Sequence, residues 1–406
     1  MLSDILAAHQ RIVAEIPTAF TRYLYSEINW EHRLIGMVGP RGAGKTTLVL
    51  QHYKSRYDDV EECLYLAADH PIVLSMGLYE AVAEYFKYYG DCVIIDEVQK
   101  HPGWSTAVKG LYDSYPDKKF IILGSSMLNI LHEKGDLSRR LHLYTLQGLS
   151  FREYLNVKHD GEWTPCTFDM LTDSHTRLSR EITSTHSNVL RDFAHYCTSG
   201  YYPFFMECNP AEYHQLLVNV MDKVVYQDMP SLRPLQSTSS LKLKKLLAYL
   251  SISTVPTLKV SSITNEIDVS RDTLYEFLDL LERAGLIAVI GTARPNVRSL
   301  RKSKILLDNP NLYYAISTGL WESAVDRGNL RESFFASQLS RRCRLHTSEA
   351  ADFTVETGET AYEVEIGGPN KGMRQIAGTS RGLVFKDGIE HGAGPQIPLY
   401  LAGFLY

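Results

Sequence analysis

A glycine-rich stretch constrains the fold of this 406-residue sequence more than any other feature. Residues 39–46 read Gly-Pro-Arg-Gly-Ala-Gly-Lys-Thr, a complete G-x-x-x-x-G-K-[ST] pattern. An apolar run, 34–38, precedes it, and a helical apolar run, 48–50, follows it. Glycines let the backbone N–H groups of such a loop turn inward around phosphates, and the following helix adds its positive N-terminal end. The order of strand, loop and helix therefore favours a nucleoside triphosphate site over a chance glycine-rich turn.

Two side chains of this loop have direct chemical roles in the prediction. Lys45 places a positive charge on the β- and γ-phosphates, and the Thr46 hydroxyl is a ligand for Mg²⁺. The loop backbone supplies the rest of the phosphate cradle. The predicted nucleotide-binding residues are Gly39, Pro40, Arg41, Gly42, Ala43, Gly44, Lys45, Thr46 and Thr47.

A second apolar run ends in two acidic residues. Residues 92–97 read Cys-Val-Ile-Ile-Asp-Glu, as expected for a buried parallel strand that ends at a catalytic sheet edge. Asp96 is predicted to hold Mg²⁺ through water, and Glu97 to orient and deprotonate the attacking water. The adjacent pair favours hydrolysis of ATP over a GTPase-type switch. No motif defines the contacts to the base, so GTP remains open.

Three further candidates for the site lie next to later apolar runs. Ser125 follows the fourth run, and Arg139 and Arg140 precede the fifth. Ser125 lies where a polar residue senses the γ-phosphate; the alternative is a serine that satisfies a turn. Arg139 and Arg140 are candidates for an arginine finger, which accelerates hydrolysis by about 10³–10⁵. The alternative is a surface ion pair. A finger that acts on a neighbouring subunit requires a homo-oligomer.

Composition indicates an ordinary protein with real cores, since 44% of the residues are hydrophobic and 22% are charged. A net charge of −5 argues against wholesale coating of nucleic acid but allows a local basic patch. Six cysteines without a C-x-x-C pair indicate neither zinc nor disulfides and fit a reducing cytosol. We see no signal peptide and no membrane-length apolar run, so a cytoplasmic location is expected.

The predicted fold class is α/β, with four regions along the chain. Residues 1–150 alternate short apolar runs with helical stretches, as in a parallel sheet. Residues 151–235 are predicted as a helical lid, which a capping box at Ser150 and Glu153 opens. Residues 236–305 are predicted as a winged helix-turn-helix, and 306–406 as a small α+β domain. The five strands of the first sheet are predicted at 33–38, 63–67, 92–96, 120–124 and 141–146.

The predicted wing carries a basic cluster. Five positive charges in eleven residues, without an acid among them, give a possible contact for DNA or RNA. If all met phosphates, log K would fall against log salt with a slope of roughly −4 to −5. The recognition helix is largely acidic where it is exposed, which favours a protein partner instead. The cluster comprises Arg294, Arg298, Arg301, Lys302 and Lys304.

Acidic residues also gather towards the C-terminal end. Glu332 lies on a predicted helix, Asp352 opens a strand, and Glu363 and Glu365 share a face of the next strand. Carboxylates that converge on Mg²⁺ support phosphodiester hydrolysis, but such a nuclease uses a lysine where Glu365 stands. Lys371 is the candidate replacement. The simpler alternative is a set of solvated acids on an edge hairpin.

These motifs together resemble a family of prokaryotic AAA-type P-loop ATPases with a C-terminal PD-(D/E)xK-nuclease-like domain of unknown function. The resemblance spans nearly the whole chain. It rests on 39–47, Ile94–Lys100, Leu149–Tyr154, Gly200–Pro203, Asp308–Pro310 and Glu363–Gly368.

The resemblance implies an AAA-type P-loop sheet followed by a helical lid, a winged helix and a nuclease-like fold. It implies that Lys45, Thr46, Asp96 and Glu97 carry the ATP chemistry, that Ser125 is the sensor, and that Arg140 matches the arginine of the family's Leu-x-x-Arg string. Arg139 stands where the family has glycine, so either arginine can be the finger. Glu365 in place of lysine argues against cleavage.

The leading prediction is an ATPase whose nucleotide state controls the winged-helix and nuclease-like domains, with ATP and Mg²⁺ as its ligands. A nucleotide-gated regulator that binds DNA or protein with little turnover is the first alternative. An ATP-coupled nuclease is the second.

Overall fold

A computed structural model describes residues 2–124, 137, 139–232, 237–253, 260–293, 303–317 and 325–406. The chain divides into two compact units, Met1–Gly148 and Leu149–Tyr406. Ser125 and the wing residues Arg294, Arg298, Arg301 and Lys302 lie outside the described residues. The predictions for these five residues therefore stay predictions.

The first unit alternates strands with helices, as the sequence predicted. Four of the five strands are short, largely apolar runs, and glycines or polar residues at their ends break the pattern. The strands are β1 (Leu34–Val38), β2 (Cys63–Ala67), β3 (Cys92–Asp96), β4 (Lys119–Gly124) and β5 (His142–Thr145). The helices are α1 (Leu2–Ala14), α2 (Lys45–Arg56), α3 (Pro71–Met76), α4 (Leu78–Tyr88) and α5 (Trp104–Ser114).

The five strands form one parallel sheet in the order β2-β3-β4-β1-β5. Successive residues of a strand point to opposite sides of the sheet, and apolar residues occupy both sets of positions. Apolar side chains therefore cover both faces of the sheet. Leu34 and Val38 belong to one buried cluster, whereas Ile35 and Met37 belong to the other. The α/β fold class is thereby confirmed, and the arrangement brings the carboxyl ends of β1 and β3 to one edge of the sheet.

Helix α1 protects the edge strand β2. The Tyr65 backbone N–H donates to His9 Nδ1 at 2.8 Å, so a side chain takes the place of a neighbouring strand. Burial lowers the pKa of His9 to about 4, which keeps the ring neutral and able to accept this bond.

The second unit begins with a helical region. Ser150 accepts from the Glu153 backbone N–H, and the Glu153 carboxylate accepts from the Ser150 backbone N–H, which confirms the predicted capping box. The region contains α6 (Phe151–His159), α7 (Phe168–Thr185), α8 (Val189–Ser199), α9 (Pro210–Lys223) and, after a π-helical turn at Val224–Asp228, α10 (Met229–Leu232). Its role as a lid stays a prediction.

Three helices and a two-stranded antiparallel sheet follow, in the order predicted for a winged helix-turn-helix. Ser270 caps the third helix by accepting from the Thr273 backbone N–H at 3.1 Å. The elements are α11 (Ser237–Ile252), α12 (Val260–Ile267), α13 (Arg271–Arg283), β6 (Ile287–Ile290) and β7 (Lys304–Leu307).

The remaining elements build a mixed five-stranded sheet in the order β12-β11-β10-β9-β8. Its central hairpin turns at Gly358, which has a φ of 56°. The elements are α14 (Pro310–Ile316), α15 (Arg327–Leu339), β8 (Arg344–His346), β9 (Phe353–Thr357), β10 (Thr360–Gly367), β11 (Gly382–Lys386) and β12 (Gln396–Pro398). Within the described ranges, no helix has both the length and the apolar character that crossing a membrane requires.

Candidate functional site

The glycine-rich loop joins β1 to α2 in the conformation that its glycines allow. Gly39, Gly42 and Gly44 have φ values of 149°, 83° and 91°, which side chains with a Cβ rarely adopt. At Gly39 a Cβ would also lie 2.0 Å from the Leu146 carbonyl oxygen. The glycines therefore set the path of the loop, and Gly44 starts α2 so that its first N–H groups face the loop.

Lys45 is buried at the start of α2, with 7% of its surface exposed. Its Nζ donates to the carbonyl oxygens of Gly39 and Pro40, each at 2.9 Å. The side chain therefore lies across the mouth of the loop. Burial lowers the pKa of Lys45 to about 8, even though the nearby carboxylates of Asp96 and Glu97 favour the charged form.

If Lys45 binds the phosphates of ATP, this pKa predicts a pH dependence of that binding. Phosphate oxygens would bind the ammonium form of Lys45, and the free protein loses that proton as the pH rises through about 8. We expect ATP affinity to fall above pH 8, by up to about tenfold per pH unit, with proton uptake on binding. Calorimetry between about pH 7 and 9.5 in buffers of different ionisation enthalpy measures both quantities. An affinity that stays constant over this range would contradict the role of Lys45.

The structure brings the two predicted Mg²⁺ ligands together. Thr46 Oγ1 donates to Asp96 Oδ2 at 2.7 Å, although fifty residues separate them in sequence. Tyr65, which the sequence did not identify, donates from its hydroxyl to the same oxygen at 3.0 Å. A hydroxyl and a carboxylate beside a phosphate loop are the oxygen ligands that Mg²⁺ uses with nucleotides, so these residues fit the ion.

Glu97 lies directly beyond β3 in a left-handed conformation, with a φ of 49°. Its carboxylate accepts from Gln99 Nε2 at 2.6 Å and lies 3.8 Å from Arg41 Nη2. The backbone N–H of Glu97 donates to Asp96 Oδ1 at 2.7 Å, which orients the two acids relative to each other. Positive φ at a residue with a side chain is costly, and such conformations concentrate at functional sites.

Arg22 is a second residue that sequence reasoning missed. Its buried guanidinium donates to the carbonyl oxygens of Ala43, Gln147 and Gly148 at 2.5, 2.8 and 2.7 Å. It thus ties the phosphate loop to the segment after β5. No sequence pattern signals these contacts, because Arg22 lies 21 residues from Ala43 and 125 residues from Gln147 along the chain.

The two candidate finger arginines differ in their surroundings. Arg140 Nη2 donates to both carboxylate oxygens of Asp113, at 2.9 and 3.1 Å. This is the ion pair that the sequence left as the alternative. Arg139 is exposed. A finger role for Arg140 would require it to leave Asp113, and the role of either arginine stays a prediction.

The acidic cluster of the second unit contains two lysines. Lys304 Nζ lies 2.8 Å from Glu332 Oε2 and 3.7 Å from Asp352 Oδ1. Only 7% of Lys304 is exposed, so the prediction that it contacts DNA is wrong. On β7 the ammonium group of Lys304 points towards Glu332, away from solvent. A run of basic residues in the sequence does not reveal this orientation.

Lys371 reaches the remaining acid of this cluster. Its Nζ lies 2.5 Å from Glu365 Oε2. Gly367 allows this approach, because a Cβ there would lie 2.7 Å from Lys371 Cβ. Burial raises the pKa of Glu365, which the ion pair with Lys371 opposes. Glu363 accepts from the hydroxyls of Ser348 and Thr354.

Comparison with known proteins assigns the first unit to a class. Residues 31–155 match the family model described as an AAA domain, and residues 190–324 match one described as a domain of unknown function (DUF8612). The protein MJ1637 of Methanocaldococcus jannaschii, described as uncharacterized, is 26% identical over 339 residues, which are 78% of this chain and 69% of that protein. Residues 31–155 therefore form an AAA-type, ATPase-like P-loop domain. The nuclease resemblance of the C-terminal region stays a prediction.

Two solved structures are also similar at low identity. The Aeropyrum pernix ORC1 protein in complex with DNA is 13% identical with a TM-score of 0.30, and the match covers 77% of this chain and 92% of that one. AMPPCP-bound DnaA from Aquifex aeolicus is 13% identical with a TM-score of 0.26, with 69% and 88% covered.

Proposed function

We propose that the first unit binds ATP with Mg²⁺ and hydrolyses it. The observation that carries this proposal is the convergence of Lys45, Thr46 and Asp96 at one edge of the sheet, with Thr46 Oγ1 2.7 Å from Asp96 Oδ2. Loop N–H groups and the Lys45 ammonium bind the β- and γ-phosphates. Thr46 and Asp96 hold Mg²⁺, which neutralises charge on the phosphates.

Glu97 is the proposed general base. A carboxylate at the end of β3, beside the phosphate loop, is placed to orient a water and accept its proton. In the described structure Gln99 holds that carboxylate at 2.6 Å. The turn of Glu97 towards the γ-phosphate then requires the bond to Gln99 to break, which couples catalysis to nucleotide binding.

Two hydroxyl side chains of α2 allow a matched test. Thr46→Val removes the hydroxyl that faces Asp96, and we expect it to reduce Mg²⁺-dependent ATP hydrolysis by about 10²-fold or more, since a ligand of the ion is lost. Ser55→Ala removes an exposed hydroxyl near the other end of the same helix and should keep near-wild-type turnover. Steady-state phosphate release at saturating ATP and graded Mg²⁺ measures the effect. If both variants lost the same activity, or if neither lost any, the assignment of Thr46 as a Mg²⁺ ligand would be wrong.

The proposed partner of the wing is DNA. Once Lys304 is excluded, four positively charged residues of the wing remain for phosphate contacts: Arg294, Arg298, Arg301 and Lys302. The acids of α13 would repel phosphates, so the basic wing suits DNA better than α13 does. Four phosphate contacts give a slope of log K against log salt of about −3.6. Charge reversal at Arg298, Arg301 and Lys302 should weaken duplex binding and flatten this slope. Unchanged binding in fluorescence anisotropy titrations would rule the wing out and favour the protein-binding regulator.

We also propose that the acidic cluster of Glu332, Asp352 and Glu365 does not hold a catalytic metal. Two ammonium groups already pair with these carboxylates, and Lys304 lies between Glu332 and Asp352, where the ion would bind. The residues therefore do not fit a metal-dependent nuclease. Plasmid cleavage with Mg²⁺ or Mn²⁺ that disappears in Asp352→Ala would contradict this proposal.

A further inference from the structure

Two histidines and a buried aspartate meet in the helical region of the second unit. His159 is the last residue of α6, His186 directly follows α7, and Asp192 lies in the first turn of α8. His159 Nε2 lies 2.8 Å from Asp192 Oδ2, and His186 Nε2 lies 2.7 Å from the same oxygen. Three separate elements thus bring two imidazole nitrogens to a single carboxylate oxygen.

The aspartate is held as an oriented anion. Its side chain is 1% exposed, and Lys158 Nζ donates to its other oxygen, Oδ1, at 2.8 Å. Burial by itself raises the pKa of Asp192, but hydrogen bonds from Lys158 and His159 outweigh it and lower the pKa to about 2. Lys158 binds Oδ1, so Oδ2 is the oxygen directed at the two histidines.

We propose that His159, His186 and Asp192 form a binding site for a divalent transition metal ion of the Zn²⁺ class. Two imidazole nitrogens and one carboxylate are the donor set that such ions prefer, whereas Mg²⁺ and Ca²⁺ take oxygen ligands. With three protein ligands, a tetrahedral ion keeps its fourth position for water or another small ligand. None of its three ligands belongs to the predicted nucleotide site or to the acidic cluster that Lys304 and Lys371 pair with.

The three ligand atoms lie within 4.8 Å of one another, close enough to share one ion after local adjustment. Tetrahedral ligands about 2.0–2.1 Å from Zn²⁺ lie about 3.3 Å apart, so the two histidine–aspartate separations of 2.7 and 2.8 Å must open by about half an ångström. His159 can supply this movement, because it ends its helix and 30% of its side chain is exposed. The same exposure gives the ion a path from solvent.

Metal binding would join the end of α6, the residue after α7 and the start of α8. Without the ion, both histidines donate to Asp192, and the cluster is satisfied by hydrogen bonds alone. With the ion, each Nε2 must present a lone pair, so the hydrogen of a neutral imidazole moves to its Nδ1. These two states make different spectroscopic predictions.

The test is Co²⁺ and Zn²⁺ binding to the untagged protein after dialysis against EDTA. We expect one equivalent of Zn²⁺ by calorimetry, and Co²⁺ d–d absorption bands of a four- or five-coordinate nitrogen and oxygen site. His159→Gln and His186→Gln should each weaken Zn²⁺ binding at least about tenfold. His195→Gln is the matched control, since His195 is an exposed histidine of α8, and it should bind as the wild type does.

Two results would overturn the proposal. The first is the absence of stoichiometric binding of either metal to the wild type, which would leave only the hydrogen-bonded cluster. The second is a thiolate-to-Co²⁺ charge-transfer band, or Zn²⁺ binding that both histidine variants retain, since either would place the metal elsewhere. His159→Gln changes a part-exposed side chain, so a folded variant is expected even if His186→Gln unfolds, and circular dichroism checks both.

Discussion

Replacement of Lys45 by alanine is expected to weaken ATP binding by about 10²–10⁴-fold. In the structure, Lys45 Nζ makes two hydrogen bonds to loop carbonyls, and phosphate oxygens of ATP would replace those acceptors. Each hydrogen bond to a charged group contributes about 1.5–3 kcal/mol, and two such bonds account for the factor. Equilibrium binding of a fluorescent ATP analogue in Mg²⁺ measures it.

The same helix provides the control for this variant. Lys54 is an exposed lysine of α2 that donates to the carbonyl oxygens of Ala14 and Ile16. Lys54→Ala should therefore leave ATP affinity within about twofold of wild type. If Lys45→Ala retained wild-type affinity, the nucleotide site would have to lie elsewhere.

Replacement of Lys304 by methionine is expected to destabilise the C-terminal sheet by about 3–5 kcal/mol at neutral pH. The substitution keeps the apolar contact with Phe353, over whose ring Lys304 Nζ lies at 4.4 Å, but it leaves the buried carboxylate of Glu332 without its 2.8 Å partner. Burial already raises the pKa of Glu332, and the loss of the lysine raises it further. Hydrogen exchange of peptides that cover β9 and β10 measures the local free energy of opening.

The pH dependence and a double variant separate charge from packing. Because the carboxyl pKa is raised in the folded state, the deficit of Lys304→Met should shrink as the pH falls and Glu332 takes up a proton. Adding Glu332→Gln should recover part of the loss at neutral pH. Lys386→Met, on β11 of the same sheet, serves as the control. If neither a lower pH nor Glu332→Gln reduces the loss of stability in Lys304→Met, packing rather than charge determines that loss.

The sequence predicted the first sheet nearly to the residue. Runs such as 63–67 and 92–95 are apolar throughout, so the sequence alone indicates their length and their burial on both faces of the sheet. The pairing of Thr46 with Asp96 followed from the same pattern, since parallel strands end at one edge. Local sequence patterns were enough to predict a contact wherever the direction of the strands determines that contact.

Contacts between distant polar side chains could not be predicted in this way. Arg22 and Tyr65 belong to no motif, and only the folded backbone places them against the phosphate loop and Asp96. Lys304 was misassigned because its neighbours in sequence are basic, while its place on β7 turns it towards Glu332. His159 and His186 have no metal-binding spacing, so their meeting at Asp192 was invisible too.

Steady-state ATP hydrolysis by the wild type and by Glu97→Gln, with and without duplex DNA, tests the central claim most directly. We predict Mg²⁺-dependent turnover that Glu97→Gln lowers by about 10²–10⁴-fold while ATP binding is kept, because the variant loses the base but not the phosphate contacts. Stimulation by DNA would link the wing to the ATPase. Equal turnover in the two proteins, or none in the wild type under any condition, would contradict hydrolysis at this site.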